Sequence, residues 1–205
     1  MPTPDEIRAA HNRRVEAITA RVELSDHARR VALARALTTA RADLKAARAA
    51  ESKERESRWN AGLRKLWGTD DLIALGADRA STTISARDAA DRVARIKNAD
   101  QAAALLRQAE ATGDEILARA IGNHANDHTG SLDGAGKWGG VLADFLAPRE
   151  TATATYEQMC AMAAETTSAA RIFGNRPIDP PADLRGLPDG QIRELAADPN
   201  IPDTI

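Results

Sequence analysis

Aromatic side chains are almost absent from this chain: three Trp, two Phe and one Tyr in 205 residues. That scarcity excludes a β-sandwich or any other fold built around a large aromatic core. Cysteine occurs once, at Cys160, so no internal disulfide can form. The thiol sits in the helical-looking run YEQMCAMAAE with no basic cluster or histidine beside it, which predicts a small buried hydrophobe without reactive character. No stretch reaches the 18 or so consecutive apolar residues that a membrane span needs. The opening MPTPDEIRAAHNRR has no apolar core of a secretory signal. The expectation is a soluble chain with no membrane contact. Large apolar residues are also few, at 17 Leu, 12 Ile, 5 Val and 2 Phe. Such a level makes a core hard to fill, although disorder also requires a high net charge, and here the net charge is only -2. What is abundant is alanine, 44 residues of 205. Alanine is the best helix former and lets helices approach closely, so the fold class expected is all-α with thin packing.

The small net charge hides an asymmetry. Residues 5–66 hold 15 Lys or Arg against 9 Asp or Glu, which leaves 13 basic and 21 acidic residues elsewhere. A basic arm joined to an acidic body can steer association through complementary fields. Contact with nucleic acid through Arg13, Arg14, Arg21, Arg29 and Arg30 is the alternative use of that arm. It is the weaker one, because acidic residues interleave with the basic ones and no aromatic residue precedes Trp59.

From Pro4 to about Lys65 there is no internal proline, and the first glycine is Gly62. Apolar positions run Ile7, His11, Val15, Ile18 and Val22, then shift phase to Leu33, Leu37, Ala40, Leu44 and Ala47. Spacings of three and four predict one or two long amphipathic helices, with Ser25 and Asp26 offering a break. A run of this length fits a coiled coil, an antiparallel hairpin or a helix lying along a neighbouring subunit. Trp59, Leu63, Leu66 and Trp67 share a face and predict a helix end anchored by two tryptophans. Short helices follow: one opening at a capping box from Ser85 to Asp88 with Ile84, Val93 and Ile96 on its stripe, one capped by Asn98 or Asp100, and one capped at Thr112 before Ile116, Leu117 and Ile121. The glycine-rich HTGSLDGAGKWGG reads as a flexible connector. The helix after it directs Trp138, Val141, Leu142, Phe145 and Leu146 inward, and a last helix does the same with Tyr156, Met159, Met162 or Ala163, Thr166, Ala170 and Phe173. Beyond Gly174 the prolines at 177, 180, 181, 188 and 199 predict an extended tail with a short helix at Gln191 to Ala197. Its Leu184, Leu187, Ile192 and Leu195 suit an arm that lies against another surface.

Motifs that carry chemistry are missing. A phosphate loop ending at Gly136 and Lys137 would need glycine where Ser131 stands and a hydroxyl where Trp138 stands. His124 and His128 are spaced for one helix face, with Asp127 beside them, but a third metal ligand is not evident and the glutamate of H-E-x-x-H is lacking. Their expected place is the surface and last turn of a helix. His11 and His27 are expected to play no titrating role. The pairs Asp70 with Asp71 and Asp114 with Glu115 read as helix-start caps. No catalytic, cofactor-binding or metal residue is assigned, no cofactor is expected, and the chain reads as non-enzymatic.

The stretch ISARDAADRVARIKNADQAAALLRQAEATGDEILARAIGNHA, followed by a tryptophan-led helix, YEQM and a proline-containing tail, resembles small helical proteins from the structural gene modules of actinobacterial tailed phages and prophages. The resemblance implies a virion protein, in the capsid, neck or tail and best suited to the head-to-tail connecting region, assembled in the bacterial host cytoplasm. Its partners would be further copies of the chain and capsid, portal or tail components. An assembly factor, scaffold or chaperone, is the third possibility. The organisation expected is a long basic helical arm over residues 1–67, an acidic helical bundle over 68–173 and an extended C-terminal tail over 174–205 that threads among neighbours.

Overall fold

A computed structural model describes residues 2–129, 135–167 and 176–202. Among the described residues all regular structure is helical, and no strand occurs. The helices are α1 (Pro4–Thr19), α2 (Asp26–Trp67), α3 (Asp70–Ala74), α4 (Arg79–Val93), α5 (Ala99–Thr112), α6 (Glu115–Thr129), α7 (Ala135–Leu146), α8 (Glu150–Thr167) and α9 (Asp189–Ala196), with a 3-10 turn at Ala182–Leu184. By contact the chain falls into two compact units, residues 1–56 with 169–205 and residues 57–168.

The first unit begins with α1, which Thr3 and Glu6 close by a reciprocal capping box with Pro4 in the first turn. The break near Ser25 is real: α1 ends at Thr19, and the Ala28 amide donates to Ser25 Oγ as α2 begins. Ile7, His11 and Ile18 of α1 are buried with Leu33, Leu37 and Leu44 of α2, and alanines at 32, 34, 36, 40 and 47 fill the seam. Val22, expected on the stripe, lies in the turn and is 92% exposed.

The C-terminal segment has the expected extended start and short helix, but what it meets differs from the expectation of an arm offered to neighbours. Ile178, Leu184 and Ile192 are buried in the same cluster as α1 and α2. Proline and irregular backbone leave carbonyls without partners, and a buried carbonyl needs a donor. The arginines of α1 and α2 supply them. Arg35 donates to the carbonyls of Ala196, Asp198, Ile201 and Pro202 at 3.0, 2.6, 2.8 and 3.1 Å. Arg41 donates to Ile178 O and pairs with Asp189, Arg29 pairs with Asp183, and both Arg8 and Arg48 donate to Arg176 O. The charge asymmetry of the sequence is thus partly satisfied inside one chain.

Helix α2 is 42 residues long. Residues 49–61 are exposed apart from Arg55, and the stretch lies outside both apolar clusters. Glu51 with Arg55 and Glu54 with Arg58 stand at the four-residue spacing that supports a solvated helix.

In the second unit the caps differ in detail from those expected. Helix α4 starts at Arg79 under Asp78, whose carboxylate accepts the Ser81 amide, so Ser85 lies inside the helix and Ile84 is 67% exposed. Starting earlier, the helix turns Thr82, Ala89 and Val93 inward instead. Asn98 caps α5 as expected, and Gly113 ends it in the left-handed region at φ 70°. That use of Gly113 leaves Asp114, and not Thr112, to cap α6 through the Leu117 amide. Trp138, Val141, Leu142 and Phe145 are buried as expected, with Leu146 packed against them. In α8, Met159 is buried, Tyr156 and Met162 are half-buried, and Ala163 is exposed. The Thr166 side chain, Ala170, Phe173 and connector residues 130–134 lie outside the described residues, whereas the flanks of that connector belong to α6 and α7. Leu66 is buried and Trp67 packs on Phe145 with ring centroids 5.4 Å apart, while Trp59 is 37% exposed, so one tryptophan of the expected pair is the anchor.

Gly122 shows how thin this core is. A methyl group there would stand 2.8 Å from the Phe145 ring and 2.9 Å from Trp67 Cζ3. Gly122→Ala would gain roughly 1 kcal/mol of helix propensity but overpack a fully buried ring at a cost of about 1–3 kcal/mol. The expected outcome in urea denaturation is a net loss of stability. An increase would show that the ring yields. For the first unit, Arg35→Met removes the donor to four carbonyls and is expected to cost about 2 kcal/mol. Hydrogen exchange should then quicken over residues 189–202 while α5 and α6 keep their protection.

Candidate functional site

The second unit holds a cleft of about 670 Å³, lined by the end of α2, the start of α3, one face of α6 and the turn from α7 into α8. Its lining carries charge of both signs. Arg119 grips Asp71 with two parallel bonds of 2.6 Å and reaches Glu115, one turn back on α6, at 2.9 Å. Arg149 meets Glu115 and Glu110 at 2.7 Å each, donates to Phe145 O, and lies over the Phe145 ring at 4.4 Å. Local sequence explains the placement. Glu115 and Arg119 are one helical turn apart, and Pro148, which has no amide to donate, sits where α7 gives way to α8 and turns Arg149 back over the ring that precedes it.

These groups are committed to one another. Arg119 holds the Asp71 carboxyl below its ordinary value through its hydrogen bonds. Burial pushes Glu115 upward, but the bonds from Arg149 and Arg119 outweigh it and the net direction is down. The Asp71 bond raises Arg119; burial opposes the charge of Arg149, and its two glutamates more than compensate. Carboxylates held ionised in this way are poor proton donors near neutrality. The chemistry the cleft favours is a lock that ties α3, α5, α6 and the α7 to α8 turn together. Arg64, Lys65, Asp70 and Glu150 at its rim make no ion pair among the described residues. Asp114 is the cap expected of it, whereas Asp71 and Glu115 belong to this network and not merely to helix starts. The four-residue spacing of Glu115 and Arg119 was the legible signal; nothing in sequence pointed to Arg149.

The other sequence candidates sit apart from the cleft. His124 and His128 are not simply surface residues: their rings lie 4.3 Å apart and both pack on Trp138, edge-on for His124 and stacked for His128. Burial lowers the His124 value, and neighbouring His128 adds to that. Among the described residues no three His, Cys, Asp or Glu side chains gather where they could hold a metal. Cys160 is exposed, a correction to the expected burial, because α8 turns Met159 inward and the next residue outward. Tyr156 is raised first by burial and then by this thiol. Lys137 of the glycine-rich stretch pairs loosely with Asp100. Of the basic residues proposed for phosphate contact, Arg13 and Arg14 are exposed, Arg21 pairs with Glu23, and Arg29 pairs with Asp26 and Asp183. Arg30 lines a shallow groove with Glu194 and Asp198, its Nε buried and unpaired.

Glu115→Gln keeps the shape of the lock but removes the charge shared by two guanidinium groups. The expected cost at pH 7 is about 1–2 kcal/mol, the lower part of the range for a charged hydrogen bond because the site is partly solvated. The folded carboxyl lies below its unfolded value, so its contribution is full above about pH 4.3 and fades as pH falls through the folded value. Denaturation curves of variant and parent should therefore converge in acid; a constant gap down to pH 2 would show that charge is not what the variant removes. No family model, no curated protein and no solved structure matches this chain.

Proposed function

We propose that the protein is a non-enzymatic structural component of a tailed-phage particle, placed in the head-to-tail connecting region and acting through helix contacts with further copies and with capsid, portal or tail components. The observation that carries this reading is the exposed middle stretch of α2. Residues 49–61 belong to neither apolar cluster, carry both charge signs and end beside the half-exposed Trp59. A solvated helix stretch with charge of both signs suits repeated contact with neighbouring helices, and tryptophan is enriched where such contacts concentrate their energy. The phage setting rests on the resemblance of the central helices and tail. An assembly factor would use the same surface but leave before the particle is finished.

The nucleic-acid alternative draws less support from the geometry. Arg21 and Arg29 are paired with carboxylates, and Arg30 shares its groove with Glu194 and Asp198. That leaves Arg13 and Arg14, too few for phosphate binding to persist at physiological salt.

Light scattering of the full chain over a range of concentrations is the first check. A defined oligomer is expected, and a monomer throughout would sink the proposal. Mass spectrometry of purified particles should then find the chain at a fixed ratio to the portal protein. Its presence only in unfinished particles would favour the assembly factor, and tight DNA binding that weakens steeply with salt would favour the nucleic-acid reading.

A further inference from the structure

Unit one contains a titratable group that no other feature uses. His11 is 5% exposed, midway along α1, and its Nδ1 is buried without a partner. The ring lies in the apolar seam with Ile7 and Ile18 of its own helix and the Leu33, Leu37 and Leu44 stripe of α2. The Ala36 backbone of α2 is the polar group acting on the ring in favour of its charged form. The charge acting on it is Arg41 of α2, whose own partner in the C-terminal segment is Asp189.

We propose that His11 makes α1 an acid-released latch: the neutral ring fits the seam, and a second proton drives α1 off α2, uncovering the part of the apolar α2 face that Ile7 and Ile18 cover. The imidazolium would hold a second N–H with no acceptor, in an apolar seam, beside a like charge. Ile7 and Ile18 are the buried apolar anchors of α1, Val15 is half-buried, and Arg8 donates to Arg176 O. Burial moves the imidazole below its ordinary value, the Ala36 backbone opposes that, and Arg41 reinforces it. Above the ordinary imidazole value near pH 6.5 both docked and released forms are neutral and the latch is indifferent to pH. As pH falls below it, the released form takes the proton first, so docking weakens until the docked ring also titrates and then levels off.

Hydrogen exchange of the full chain, corrected for intrinsic rates, tests this between pH 7.5 and 5. Protection over residues 7–18 should drop several-fold while α5 and α6 change little. His11→Leu, which fills the seam with a group that cannot titrate, should abolish the drop, and His27→Gln should leave it intact. The proposal is overturned if protection of α1 is indifferent to pH, if His11→Leu keeps the drop, or if His27→Gln removes it. Should the leucine variant fail to fold, the ring resonances of His11 in the parent chain decide: titration at or above the ordinary imidazole value overturns the latch, and titration below it sustains the latch.

Discussion

The first unit depends on arginine donors meeting carbonyls that the C-terminal segment cannot satisfy itself. A proline-rich stretch forms no ladder of its own, so its carbonyls must stay in water or be met by another element. Arg35 meets four of them, with Arg8, Arg41 and Arg48 meeting others. Only with those bonds made can Ile178, Leu184 and Ile192 reach the seam beside Leu33 and Leu37. Guanidinium suits the task because it presents several donors in a fixed plane, which the ammonium of lysine does not. A segment that looked like an arm for neighbours is in this way part of the chain's own core.

The second unit solves the shortage of large side chains differently. Phe145 sits fully buried at its centre, and Gly122 lets the ring and Trp67 come within reach of the α6 backbone. Alanines at 102, 109, 118 and 125 fill the remaining helix contacts. Close approach takes the place of side-chain volume, so the few aromatics count for more than their number suggests. Around the edge, Arg119 and Arg149 bind the carboxylates of three helices, and Arg149 also covers the face of Phe145. The same residues therefore seal the core and fill the cleft with charge.

Sequence carried some elements further than others. Asn98 and Asp114 mark boundaries through short-range hydrogen bonds, and signals within four residues are legible without a fold. Even so, Thr112 and Ser85 looked like caps and were not, because a hydroxyl near a helix start is common and only the actual phase of the helix selects among candidates. Cys160 and Ile84 failed for the same reason: a shift of one residue, or an earlier start, turns a side chain from the core to solvent.

By itself the sequence determined the all-α class, the positions of most helices and the apolar stripe of α7, because alanine abundance, spacing and local caps act over a few residues. It also determined that basic residues gather early in the chain and acidic ones later. What only tertiary structure decided was where those charges go: Arg35 to the carbonyls near Pro202, Arg149 to Glu110 and Glu115, and His11 into a seam with no acceptor for its Nδ1. The first of these pairings joins residues 167 positions apart. Their energy comes from desolvated geometry that no local pattern encodes, which is why the candidate cleft and the buried histidine became visible only once the chain was folded.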